Sequence, residues 1–124
     1  MKQVLATDQA PAAIGPYSQG IAAGETVYVS GQLPLDPATG AFPEGIAAQT
    51  AQSLKNIQAI LAQQGMTLAN VVKTTVFLAD INDFAEMNKV YGEFFTQPYP
   101  ARSAVQVAKL PKDAPLEIEC IAVK

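Results

Sequence analysis

Two stretches of this chain, 71–79 and 116–123, constrain its fold most, because both are rich in β-branched and aliphatic residues. Successive side chains of a strand point to opposite faces of a sheet. In 71–79 one predicted face carries Val72, Thr74, Val76 and Leu78, and the other face is also mostly apolar. Strands that are apolar on both faces predict a sheet that is covered on both sides.

Two helices are predicted, which is enough to cover only one of these faces. The first spans Ile46–Gln64 and places Gly65 at its C-terminal cap. The second lies in 82–95, with Asp83 as N-cap and Glu86 three residues later. We therefore expect another subunit to cover the second face. The alternative is that this face is merely half-exposed to water.

The remaining strands complete an α+β pattern. A short strand is predicted near Val4, and "GIAAGETVYVSG" predicts a hairpin with a type II′ turn whose first residue is Gly24. Later strands are predicted at 101–108 and 116–123. The order β-β-β-α-β-α-β-β predicts one sheet with both helices on one face. By length, residues 1–124 form one domain.

The composition limits the kinds of active site and partner that the chain can have. The chain has no histidine and one cysteine, which disfavours a metal site and every Ser-His or Cys-His nucleophile. The net charge is −3 and no basic stripe exists, so no nucleic-acid partner is expected. No apolar run approaches 18 residues and the N-terminus lacks a signal-peptide core, so we expect a cytoplasmic protein without a membrane partner.

A few polar residues are candidates for chemistry. Arg102, the only arginine, opens a run of small and apolar residues, where a guanidinium needs an anionic partner. Glu117 and Glu119 share one strand face, and burial raises the pKa of such carboxyls. Asn88 lies on the apolar stripe of the second helix. Each also has a structural interpretation: an internal ion pair, an exposed sheet edge, or a helix-to-loop hydrogen bond. Cys120, on the opposite face from the glutamates, is predicted to be a buried core thiol.

Several motifs together are similar to those of the Rid family, the reactive intermediate deaminases, also called the YjgF or L-PSP family. They are "PARSAVQVAKLPKDAPLEIE", "APAAIGPYSQG", "YVSGQLPLDPATG" and "VVKTTVFL", and they span nearly the whole chain. The resemblance, especially to the RidA branch, implies a chorismate-mutase-like homotrimer with sites at clefts between subunits. It also implies hydrolysis of small enamines and imines that carry a carboxylate, such as 2-aminoacrylate and 2-aminocrotonate, to 2-oxo acids and ammonia, without a cofactor.

The resemblance also assigns roles to residues. The carboxylate-binding arginine falls on Arg102, and the acid that positions water falls on Glu117. The substrate-binding positions fall on Tyr17, Ser30, Gly31, Asn88 and Ala104. Ala104 stands where many RidA-branch members carry cysteine, and its backbone N–H is the expected contact. Two other functions stay open: a trimer that binds or senses 2-oxo acids without turnover, and a ribonuclease or translation inhibitor. A chaperone role is a weaker third alternative.

Overall fold

The computed structural model describes all 124 residues and gives the element order β-β-β-α-β-α-β-β. The predicted α+β class is therefore confirmed. Three short 3₁₀ turns separate some of the elements. The strands and helices are β1 (Lys2–Leu5), β2 (Gly20–Ala23), β3 (Thr26–Gln32), α1 (Ile46–Ala62), β4 (Val71–Leu78), α2 (Phe84–Phe94), β5 (Ala101–Gln106) and β6 (Leu116–Val123).

All six strands form one sheet in the order β1-β2-β3-β6-β4-β5. Neighbours are antiparallel except β4 and β5, which are parallel and connected through α2. A core cluster joins one face of the sheet to both helices, with Ile118 of β6, Ile57 of α1 and Met87 of α2 all fully buried in it. Both helices thus cover the same face, as the pattern predicted, and β5 is left as an edge strand.

Neither helix covers the other face of the sheet. Tyr28 is 49% exposed and pairs with Ile121, while Val105 is 45% exposed and pairs with Phe77. These residues lie on four consecutive strands of the sheet, β3, β6, β4 and β5, and make an apolar surface. The expectation that another subunit covers this surface stays a prediction.

One face assignment in β4 was wrong because the strand contains a β-bulge. Val71 and Lys73 pair with consecutive residues of β6, so Val72 is an extra residue. Val71 is buried on the core face in place of Val72, which is 48% exposed. From Thr74 onward the predicted alternation holds. The strand ends at Leu78, one residue before the predicted end.

The start of α2 also differs from the prediction. Asp83 has helical backbone angles and makes no side-chain hydrogen bond to the helix, so the predicted capping box is wrong. Asp80 instead accepts a hydrogen bond from the backbone N–H of Asn82 at 2.9 Å and caps the 3₁₀ turn that leads into α2. The carboxylate acts one turn earlier than the sequence pattern indicated.

Glycines end α1 and turn the hairpin as predicted. The N–H of Gly65, whose φ is +70°, donates to the carbonyl of Ala62, and the N–H of Met66 donates to that of Leu61. These two bonds form a Schellman motif, although the regular helix ends two residues before the predicted Gln64. Gly24, with φ +60°, makes the turn between β2 and β3.

No helix combines the length and apolarity needed to span a bilayer.

Candidate active site

A bulge in β3 brings Glu117 against the backbone of Gly31. Val29 and Gln32 are three residues apart, but their partners on β6 are only two apart, so β3 holds one extra residue at this point. A Cβ atom placed on Gly31 would lie 2.5 Å from Oε2 of Glu117. Only a glycine therefore leaves room for the carboxyl in this position.

Glu117 lines an open cleft of about 970 Å³. Tyr17, Ser30 and Gly31 line the same cleft, so four of the seven predicted site residues lie together. One wall is the segment 7–14, which we call the arm. The structure adds Gln19, Asp8, Asp36 and Lys112 to the cleft. Sequence patterns did not single out these four residues, because each lies in a turn or loop whose residues are also typical of ordinary surface turns.

The cleft is acidic. Asp8, Asp36, Glu117 and Glu119 line it, against one cation, Lys112. Burial raises the pKa of the Glu117 carboxyl above its ordinary value, and the nearby charge of Glu119 raises it further. Glu117 thus keeps a proton to higher pH than a free glutamate does. This makes it suited to donate a proton and then to orient water.

Arg102 lies on the other side of the sheet. It pairs with Thr74, whose side chain is fully buried beneath α2. Its Nη1 donates a 2.7 Å hydrogen bond to Oδ1 of Asn88, and its guanidinium carbon lies 4.7 Å from the ring centre of Tyr91. The chain's one salt bridge is elsewhere, so no internal carboxylate neutralises Arg102. The predicted alternative of an internal ion pair is therefore wrong for this residue.

Ala104 belongs to the same group as Arg102. It lies two residues further along β5, pairs with the buried Val76, and packs against the core. The seven predicted residues thus form two groups on opposite faces of the sheet. We call Tyr17, Ser30, Gly31 and Glu117 the acid half-site, and Arg102, Asn88 and Ala104 the cation half-site.

One chain does not bring the two half-sites together. Glu117 pairs with Phe77, whereas Arg102 pairs with Thr74, and these two residues of β4 point to opposite faces. Asn88, predicted from its helix stripe, does reach Arg102. Cys120 is 4% exposed and burial raises its pKa to about 12, in agreement with the prediction of an inert core thiol.

Known proteins similar to this chain share its full length and its fold. The family model described as endoribonuclease L-PSP matches residues 7–124. A 2-iminobutanoate/2-iminopropanoate deaminase of Salmonella typhimurium is 53% identical, with 100% of this chain and 99% of that protein covered. Two solved structures are also similar. Escherichia coli TdcF with bound serine has a TM-score of 0.94 and 48% identity, covering 98% of each chain. RidA from an Antarctic Psychrobacter has a TM-score of 0.95 and 50% identity, covering 98% of this chain and 99% of the other.

Proposed function

Because this chain belongs to the endoribonuclease L-PSP family, in its RidA branch, we propose that it is an imine deaminase whose two half-sites join between subunits. The reaction is hydrolysis of small enamines and imines, with 2-iminobutanoate and 2-iminopropanoate as the substrates indicated by its relatives. The products are a 2-oxo acid and ammonia.

The observation that carries the proposal is the guanidinium of Arg102. It is held in place by a neutral partner, Asn88, and by the Tyr91 ring, so its full charge is available to an anion. A planar fork of N–H donors matches a carboxylate. Arg102 would therefore bind the carboxylate of the substrate, aided by the backbone N–H of Ala104. The bound serine of the related TdcF structure carries the same carboxylate group.

Glu117 would supply the chemistry. In its protonated form it gives a proton to the terminal carbon of the enamine, which becomes an iminium. As a carboxylate it then orients water toward that carbon–nitrogen centre. Water adds to the carbon and one of its protons passes to the nitrogen. The carbon–nitrogen bond then breaks, ammonia leaves, and the second proton of the water returns to Glu117. The acidic cleft favours the cationic iminium over the neutral imine. Tyr17 and Ser30 would contact the nitrogen or the water.

The assembly we propose is a homotrimer in which the uncovered sheet face is buried. Tyr28 and Val105 are two of the exposed apolar residues of that face, and β5 is an edge strand with one free side. Burying this face together with the β5 edge, which carries Arg102, would bring the cation half-site of one subunit to the acid half-site of the next. Substrate would then lie between two chains, in the cytoplasm.

Mixing inactive variants tests both the activity and the shared site. Arg102→Ala and Glu117→Gln are each expected to release ammonia no faster than the uncatalysed hydrolysis of 2-aminoacrylate that a dehydratase generates from serine. If each site takes one half from each of two chains, refolding an equal mixture restores about a quarter of wild-type turnover, because one pairing in four joins two intact half-sites.

The control mixes Arg102→Ala with the double variant Arg102→Ala/Glu117→Gln, which contains no intact cation half-site and should stay inactive. No recovery in the first mixture would refute the shared site. Turnover by Arg102→Ala alone would refute the role of the guanidinium. Binding of a 2-oxo acid without ammonia release from wild type would favour the sensing alternative. RNA cleavage would need a phosphate to approach four carboxylates in the cleft, so that alternative has no support from the geometry.

A further inference from the structure

Gln19 makes more hydrogen bonds than any other side chain near the cleft. It is only 4% exposed. Its Oε1 accepts a 2.7 Å hydrogen bond from the N–H of Thr7, and its Nε2 donates to the carbonyls of Thr7, Ala10 and Pro11 at 3.0, 3.3 and 2.7 Å. The pattern fixes the orientation of the amide, because the reverse orientation would direct the NH₂ group at the Thr7 N–H.

These four bonds hold the arm, and the arm is a wall of the cleft. Arm residues 7–14 lie outside every helix and strand. They therefore lack the backbone ladders that hold the sheet, and Gln19 is the side chain that satisfies backbone polar groups of Thr7, Ala10 and Pro11. The arm supplies three of the six apolar side chains that line the cleft, prolines not counted: Ala10, Ala12 and Ile14.

Gln19 also connects the arm to the acid half-site. Its backbone carbonyl accepts a 2.9 Å hydrogen bond from the N–H of Ser30. The hydroxyl of Ser30 in turn donates to the carbonyl of Ser18 at 2.6 Å. Gln19 thus sets the distance between the arm and Ser30, because its side chain bonds to the arm and its backbone carbonyl bonds to Ser30.

We propose that Gln19 is a positioning residue that holds the arm as the apolar wall against the substrate's side chain and so sets the preference among imines of different size. The inference rests on the proposed function. Substrates enter with the carboxylate at Arg102 and the reacting carbon near Glu117, which leaves the side chain to the apolar part of the cleft. A wall held by four hydrogen bonds offers a fixed surface, whereas an arm without them does not.

The test uses Gln19→Glu, which keeps the acceptor for Thr7 but replaces the donor to three carbonyls by a carboxylate oxygen. Gln9→Glu is the matched control, since Gln9 is an exposed arm residue outside the cleft and the charge change is the same. Imines of alanine and leucine, generated by an amino-acid oxidase, differ by three aliphatic carbons. Each fully buried carbon is worth about a fourfold change in affinity. Because the arm gives half of the apolar lining, we expect Gln19→Glu to reduce the leucine-over-alanine ratio of kcat/KM about eightfold.

A second readout does not depend on activity. Backbone amides at 7–14 should exchange hydrogen at least tenfold faster in Gln19→Glu, while those of β3 and β6 stay protected. The proposal predicts both effects, with kcat for the alanine imine within about twofold of wild type and no change in Gln9→Glu. An unchanged exchange rate, or a loosened arm with an unchanged ratio, overturns it. If Gln19→Glu does not fold, the near-isosteric Gln19→Met takes its place, with the same two outcomes. Absence of turnover in wild type would instead refute the proposed function, and the exchange result would still stand.

Discussion

Replacing Gly31 by alanine tests the contact on which the acid half-site depends. The new Cβ would lie 2.5 Å from Oε2 and 2.6 Å from Cδ of Glu117. Ordinary contact begins at 3.4 Å, so the carboxyl must move by about 0.9 Å. Glu117 is half-buried at the cleft, and its side chain can rotate toward the opening. The backbone of Gly31 does not have a positive φ, so alanine introduces no backbone strain there.

The expected result is an active-site defect in a folded protein. A displacement of about 1 Å of a catalytic group lowers turnover by roughly 10²-fold, equivalent to about 2.7 kcal/mol of barrier. The free energy of unfolding, measured by urea denaturation, should change by less than about 1 kcal/mol, because the atoms that must move are at the end of a flexible side chain. The activity assay is ammonia release from 2-aminoacrylate at saturating substrate.

Gly92→Ala is the matched control. Gly92 lies within α2, and a Cβ there meets no atom within 4 Å. This control should keep full activity and gain up to about 1 kcal/mol of stability from helix propensity. Wild-type turnover in Gly31→Ala would mean that Glu117 does not occupy the space beside Gly31. A loss of several kcal/mol of stability would mean that the Glu117 side chain cannot move aside, and either result refutes the prediction.

Two further predictions concern charge and burial. Turnover that requires the protonated Glu117 is lost as pH rises through the pKa of Glu117, which burial and the charge of Glu119 both raise. Glu119→Gln should therefore move this loss of kcat to lower pH. A kcat–pH profile that does not move would contradict the assignment of Glu117 as the acid. Ser53 is fully buried in α1 and its Oγ has no hydrogen-bond partner, so Ser53→Ala should stabilise the fold by about 1–2 kcal/mol in urea denaturation, whereas a loss of stability would reveal a bond to that hydroxyl.

The sequence predicted the order and type of every strand and helix, because strand and helix periodicities depend on neighbouring residues. Its errors arose where one residue changes the local geometry. The bulge at Val72 depends on how β4 meets β6, which a strand pattern read alone does not contain. Asp80 caps in place of Asp83 because a 3₁₀ turn precedes α2, and both residues have the same propensity to cap.

The sequence predicted which residues belong to the candidate site, but not where these residues lie relative to one another. Arg102 and Glu117 were both selected, and alternation assigns each to a face of its own strand. Which face of β5 corresponds to which face of β6 depends on the registers that both share with β4. Only the structure supplies those registers. The role of Gln19 was missed for a similar reason, since its partners lie eight to twelve residues away in an irregular arm.

The separation of the two half-sites has a physical reason that concerns Arg102 itself. If Arg102 and Glu117 faced each other within one chain, they would form a close ion pair, and the guanidinium would lower the pKa of the carboxyl. The substrate's carboxylate would then have to displace Glu117, and the proton that the reaction needs would be lost. Placing them on opposite faces avoids both effects within one chain, while the neutral Asn88 orients the guanidinium without cancelling its charge. The fold of each chain thus keeps the cation and the acid apart, and in the homotrimer that we propose the contact between subunits would set the distance between them.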